Sequence, residues 1–201
     1  MHAFAELREG TANSDPPVST ADQKTHMRVD SSTEDTYIAG LVLVAAGYVE
    51  RTTRSVLMQR TFTGYLDQWP AESILLPRFP LSTVASVTYT DSAGSEATLS
   101  TGIYTADSST PPRIYRKNGQ SWPSLYGETH QDVKVTCTLG YAANAAATGD
   151  IPAELIQGVK LMASHLFEHR EAVEVGAMPN EVPFAVRALL EQYTLHMVAK
   201  A

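Results

Sequence analysis

Residues 30–55, DSSTEDTYIAGLVLVAAGYVERTTRS, constrain the fold more than any other stretch. Ile38, Leu41, Val42, Ala45 and Val49 recur at three- and four-residue spacing and so line one stripe of a helix. Tyr37, Val44 and Tyr48 fall on an adjacent stripe. Together they cover close to half the circumference, wider than the ~100° face that a surface helix needs. Two arrangements satisfy this: a central helix packed by several neighbours, or a helix whose face is shared with another subunit. The apolar run 37–49 is shorter than the roughly 20 residues a bilayer span requires, and two glycines break it. Ser31 with Glu34, or Ser32 with Asp35, offers the helix start.

The period changes after residue 55. MQRTFTGYLDQW, SILLP, STVASVTYTD, EATLS, RIYRK and DVKVTCTLGY are short and rich in Thr, Val, Ile and Tyr. Turn chemistry separates them: DSAG at 91–94, NG at 118–119, and prolines at 77, 80, 111, 112 and 123. This predicts an antiparallel β-region of about six short strands. A shorter helix is expected over 19–30, opened by Thr20 with Gln23. After the small-residue linker 142–150, a helix with Pro152 in its first turn runs to about residue 173, and a last one runs from near Pro183 to the C-terminus. The fold class is therefore α+β, a helical bundle with an inserted β-region. Its divisions are a flexible N-terminal arm at 1–18, a helical base at 19–55, the insertion at 56–141 and the rest of the base at 142–201.

Composition narrows the function. The net charge of −7 argues against a protein that wraps nucleic acid electrostatically, though not against a surface past which DNA slides. The N-terminus MHAFAELREG does not read as a secretory signal. The lone Cys137, in VKVTCTLGY, reads as a small core residue, with no partner for an intrachain disulfide.

One stretch raises the possibility of chemistry. HLFEHRE, residues 165–171, contains His-x-x-Glu-His, the order of ligands and base in one class of zinc peptidases. His165 and His169 fall one turn apart on the border of an apolar stripe formed by Leu155, Val159, Met162, Leu166 and Val173. A catalytic zinc needs a third protein ligand, and downstream acids occur only at Glu171, Glu174, Glu181 and Glu191. The competing reading is two border histidines, half packed and half wet. A zinc-dependent hydrolase using His165, Glu168 and His169 is the alternative function. Arg170 falls in angle within the apolar stripe, where it would need a carboxylate or helix-end carbonyls, with Glu50, near the end of the long helix, as one candidate; the alternative is that it lies past the edge of the core and snorkels into solvent. Trp69 and Trp122 sit in proline-bearing loops that either anchor strand ends or form a ligand platform. RIYRKNG, with Arg113, Arg116 and Lys117, is a solvated hairpin tip or an anion contact.

In order along the chain, several blocks resemble the head–tail connector (adaptor, or head-completion) proteins of tailed bacteriophages. STADQKTHMRVDSSTEDTYIAGLVLVAAGYVERTT resembles their opening: a short helix ending in Arg-Val-Asp, an acidic helix start, and a long helix with a Glu near its end. LPRFPLSTVASVTYTDSAGS resembles their Leu-Pro-x-x-Pro-Leu followed by a Val-x-x-Val-x-Tyr strand. YTADSSTPPRIYRKNGQSWP and VTCTLGYA resemble their later strands, and DIPAELIQGVKLMASHLFEHREA with VPFAVRALLEQY their closing helices. The resemblance spans about residues 17–195. About 15 N-terminal residues have no counterpart in the pattern, and His169 stands where a small polar residue is usual.

The resemblance implies a virion structural protein, not an enzyme, with no cofactor and no metal. It implies a ring of about twelve copies beneath the portal protein, extending the channel for double-stranded DNA toward the next tail-side connector or tail terminator. Localisation would be the head–tail interface of the virion, after assembly in the host cytoplasm, with no membrane partner. Tyr37, Val44, Tyr48, Trp69, Arg116 and Trp122 are the expected contacts between subunits or rings. Tyr193, His196 and Met197 are the expected portal-facing residues.

Overall fold

In the computed structural model, the described residues are 6–10, 15–127, 130–170 and 184–195. They form two compact units. The first is helical and holds α1 (Thr20–Met27), α2 (Asp35–Thr53), a 3-10 turn (Ala145–Asp150), α3 (Ala153–Glu168) and α4 (Phe184–Glu191). The second holds eight strands.

In the helical unit the predicted stripe of α2 is buried: Ile38, Val42, Ala45 and Val49 are each 0% exposed. Val42, Ala45 and Val49 share a core with Leu155, Val159 and Met162 of α3 and Val186 and Leu190 of α4. A Cβ on Gly158 would lie 3.1 Å from Leu190 Cδ2, a tight contact to which the leucine would have to give by a few tenths of an ångström, so this glycine eases the approach of α3 and α4.

The helix ends differ from expectation. Ser19, not Thr20, caps α1, its Oγ accepting from the Asp22 backbone N–H at 3.0 Å. Gln23 is instead buried, and its Nε2 donates to Lys160 O and Ser164 Oγ, both at 3.1 Å, tying α1 to α3. Neither Ser31 nor Ser32 caps α2, which starts at Asp35 without a side-chain cap. Pro152 stands just before α3 rather than inside it. That helix stops at Glu168, short of 173, and α4 stops at Glu191 rather than running on.

The second unit contains β1 (Glu6–Glu9), β2 (Arg60–Leu66), β3 (Ser73–Leu75), β4 (Leu81–Thr90), β5 (Glu96–Thr98), β6 (Tyr104–Asp107), β7 (Arg113–Arg116) and β8 (Val133–Leu139). One sheet has the order β1-β2-β8-β4-β5 and the other β3-β7-β6, and every pairing between these strands is antiparallel. β8 is central to the larger sheet and alternates strictly, with Val133, Val135, Cys137 and Leu139 inside. Leu66, Ile74, Val87, Tyr104, Ile114, Val133 and Val135 form a core to which both sheets contribute. The sequence reading missed two strands. β6 is four residues long and buries only Tyr104, and β1 falls in the segment expected to be an arm with little structure of its own. Residues 6–9 pair instead with 62–65 of β2.

Cys137 is buried, and desolvation pushes its thiol from its usual 9.0 up to about 12. Below pH 9 it is protonated whether the chain is folded or not. Above that, the unfolded chain loses the proton and the folded one keeps it. Stability should therefore fall as pH rises from 9 toward 12, by on the order of 1 kcal/mol per pH unit. Denaturation across that range should show a slope that Cys137→Ala makes shallower, and a thiol reagent at neutral pH should label the wild type only on unfolding.

Candidate functional site and assembly surfaces

Among the described residues the His-x-x-Glu-His stretch does not form a metal centre. His165 is in the last turn of α3 and Glu168 is its final residue, but His169 is already outside the helix, with φ −114° and ψ 76°. The imidazoles are 4.7 Å apart between centroids and tilted by 37°. His169 Nδ1 lies 3.0 Å from the His165 carbonyl, which makes that ring a cap for a helix-end acceptor. Partial burial and then the neighbouring His169 push His165 below the usual imidazole range, against the opposing pull of Glu168. Among the described residues no group of three or more His, Cys, Asp or Glu side chains is placed to hold an ion. A catalytic zinc needs three such ligands, so the hydrolase alternative is set aside. Val173 and the downstream acids at 171, 174 and 181 lie outside the described residues.

Arg170 corrects the expected ion pair. Its Nη2 pairs with Glu34 Oε1, at the start of α2, and not with Glu50. The guanidinium stacks over Tyr37 and Phe167, with Cζ 4.7 and 5.0 Å from the ring centroids. The angular argument failed because α3 has ended before residue 170, which leaves the side chain half exposed. Glu50 is buried at the other end of α2, where its Oε1 accepts the Leu57 backbone N–H at 2.7 Å. It therefore holds the chain that leaves the helix.

Trp69 and Trp122 form a reciprocal clasp. Trp69 Nε1 donates to Pro123 O at 2.9 Å, and Trp122 Nε1 donates to Pro70 O at 3.0 Å. The indoles stack 4.7 Å apart and within 6° of parallel, with Tyr89 5.8 Å from Trp69. Both are half-buried against the sheet core. Each proline-bearing loop supplies the ring and the carbonyl that the other requires, so the anchoring reading of these loops describes the geometry. Arg116 ends β7 in solvent, and neighbouring Lys117 donates from Nζ to Thr101 O at 2.9 Å.

The outward side of α2 is the largest departure from an ordinary surface helix. Tyr37, Leu43 and Val44 are 39%, 55% and 56% exposed, while Tyr48 is half-buried against the core. Gly40 and Gly47, seven residues apart, lie between the two side chains in angle. A Cβ on Gly40 would meet nothing within 4 Å, and one on Gly47 only Arg51 Nη1 at 3.4 Å. Each glycine costs about 0.8–1.0 kcal/mol relative to alanine in a helix interior, with no compensating contact inside the subunit. Leu43 and both glycines escaped the sequence reading, which followed the apolar stripe inward; the heptad spacing of the glycines was the available signal. On α4, Phe184 is 84% exposed. Tyr193 is half-buried, its OH donating to Glu154 Oε2 at 2.9 Å, a bond that raises the phenol above its usual range. His196 and Met197 lie outside the described residues.

No described helix is long and apolar enough to cross a membrane. No family model and no curated protein matches the chain. Solved structures do. A chain in the neck of an empty gene transfer agent particle, computed with six-fold symmetry, superposes with TM-score 0.79 and 27% identity over 98% of both chains. A chain in the virion of a native gene transfer agent particle gives 0.77 and 25%, over 97% of this chain and 98% of that one. A third, in a native neck computed with twelve-fold symmetry, gives 0.76 and 24% over 98% of both. Coverage of 98% leaves no room for an N-terminal segment of about 15 residues without a counterpart, which corrects that expectation. Fold shared over the full length with particle-neck chains, together with the ordered sequence blocks, supports a phage-like head–tail connector (adaptor) role for this chain, structural rather than catalytic.

Proposed function

We propose that copies of this chain close into a ring of about twelve beneath the portal protein and extend the DNA channel toward the next tail-side component. The observation that carries this reading is the match over 98% of both chains to a protein in the neck of a gene transfer agent particle. The six-fold and twelve-fold symmetry of two of the matched necks is what a closed ring requires. The exposed apolar side chains of α2 supply a physical cause for association. A net charge of −7 leaves a lumen past which DNA can move without sticking.

Within that reading the clasped loops of Trp69 and Trp122, and Arg116 at the end of β7, face a neighbouring copy or ring. The clasp holds the loops' shape, and Arg116 makes the contact. The C-terminal segment from Tyr193 through His196 and Met197 faces the portal. Assembly takes place in the host cytoplasm, and the finished ring sits at the head–tail interface.

Native mass spectrometry of the chain alone and mixed with the portal protein of the same particle tests the reading. A ring-sized species, formed alone or only on the portal, is the expected result. A chain that stays monomeric with portal present would end this proposal.

A further inference from the structure

We infer that the outer face of α2, along Gly40, Leu43, Val44 and Gly47, is covered in the assembly by a helix of a second copy of this chain at unusually short range. This rests on the ring reading and names one of its contacts. Three observations converge on it.

The first is the glycines. Alanine in their place would strengthen the helix, and within the subunit nothing forbids it at Gly40. What glycine provides on an outward face is room for another backbone, as small residues do wherever helices approach closely. Leu43 and Val44 flank that groove and remain more than half exposed.

The second is charge. Residues 36–49, TYIAGLVLVAAGYV, contain no charged side chain. Two copies that each carry −7 repel over much of their surfaces, and this stripe is where that repulsion is missing. Arg51, whose Nη1 lies 3.4 Å from a Cβ position on Gly47, borders the stripe, and a single guanidinium does not make a nucleic-acid surface.

The third is area. The stripe is about 20 Å long and roughly 10 Å wide, on the order of 200 Å², against the ~800 Å² per partner of a standard stable interface. A pair joined by this face alone is weak. In a closed ring each copy is held on two sides, so a contact of this size suits a ring and not an isolated pair.

The test uses the full chain, alone over a wide concentration range and with portal, followed by sedimentation velocity and native mass spectrometry. Leu43→Glu and Gly40→Leu should raise the concentration needed for assembly by about tenfold or more, with an unchanged circular dichroism spectrum. Gly40→Ala guards against misfolding: it should melt above the wild type and still assemble less well. If wild type forms rings and all three variants form them equally well, the ring reading stands and this contact is wrong. Variants that form rings but no longer attach to portal would give the face to the portal and overturn the inference. A wild type that never associates, with or without portal, would sink both.

Discussion

Trp69→Ala is expected to destabilise the β-unit by about 3 kcal/mol, toward the low end for an aromatic truncation because the indole is only half-buried. The loss has three parts: the stack on Trp122, the packing against the sheet core, and the bond to Pro123 O. Trp122→Ala loses the corresponding set, including the bond to Pro70 O. Because each ring is held by the other, the two losses should not add. A double-mutant cycle measured by urea denaturation should give a coupling of about 0.5–1.5 kcal/mol. Trp69→Phe keeps a stacking ring but leaves Pro123 O without its donor, and should cost about 1 kcal/mol more than a lost stack explains. Additive single-mutant losses would mean that the clasp is two independent anchors.

Glu50→Ala should cost about 2–3 kcal/mol, because it leaves the buried Leu57 N–H without an acceptor where water does not reach. Leu57 is 0% exposed, and the Val56 and Leu57 carbonyls accept the backbone N–H groups of Tyr141 and Ala142. The carboxylate thus holds the point at which the chain leaves α2 and is met on its return from the strands. A melting temperature lower by roughly 4–12 °C is expected for a chain of this size. Glu50→Gln retains an acceptor oxygen and should lose clearly less. Equal losses for the two variants would show that the negative charge, and not the hydrogen bond, is what the site needs.

The same residues show where reading the sequence works. Glu50 was singled out by its position near the end of α2, but as the partner of Arg170. It turned out to be committed to a backbone N–H seven residues on. Arg170 found Glu34, 136 residues away, because its helix had stopped. A helical wheel assumes continuation, so an error in the helix end rotates every later side chain to the wrong place. For Trp69 and Trp122, adjacent prolines correctly marked loops that fasten strand ends. Nothing local could show that each indole would reach the carbonyl of the other loop, 54 and 52 residues away.

By itself, the sequence determined the parts governed by period. The buried stripe Ile38, Val42, Ala45 and Val49 follows from 3.6-residue spacing, and the inward set Val133, Val135, Cys137 and Leu139 from strict alternation, because water excludes such faces whatever their eventual neighbours. The order of blocks along the chain likewise carried the resemblance to head–tail connectors. Only the tertiary structure decided that residues 6–9 join a sheet, that Arg170 belongs to Glu34, and that Leu43, Val44 and two glycines are left outside. Those outcomes depend on hydrogen bonds, charges and open space supplied by residues far away in the chain. Side-chain chemistry and spacing specify what a segment must hide, and not which distant segment will do the hiding.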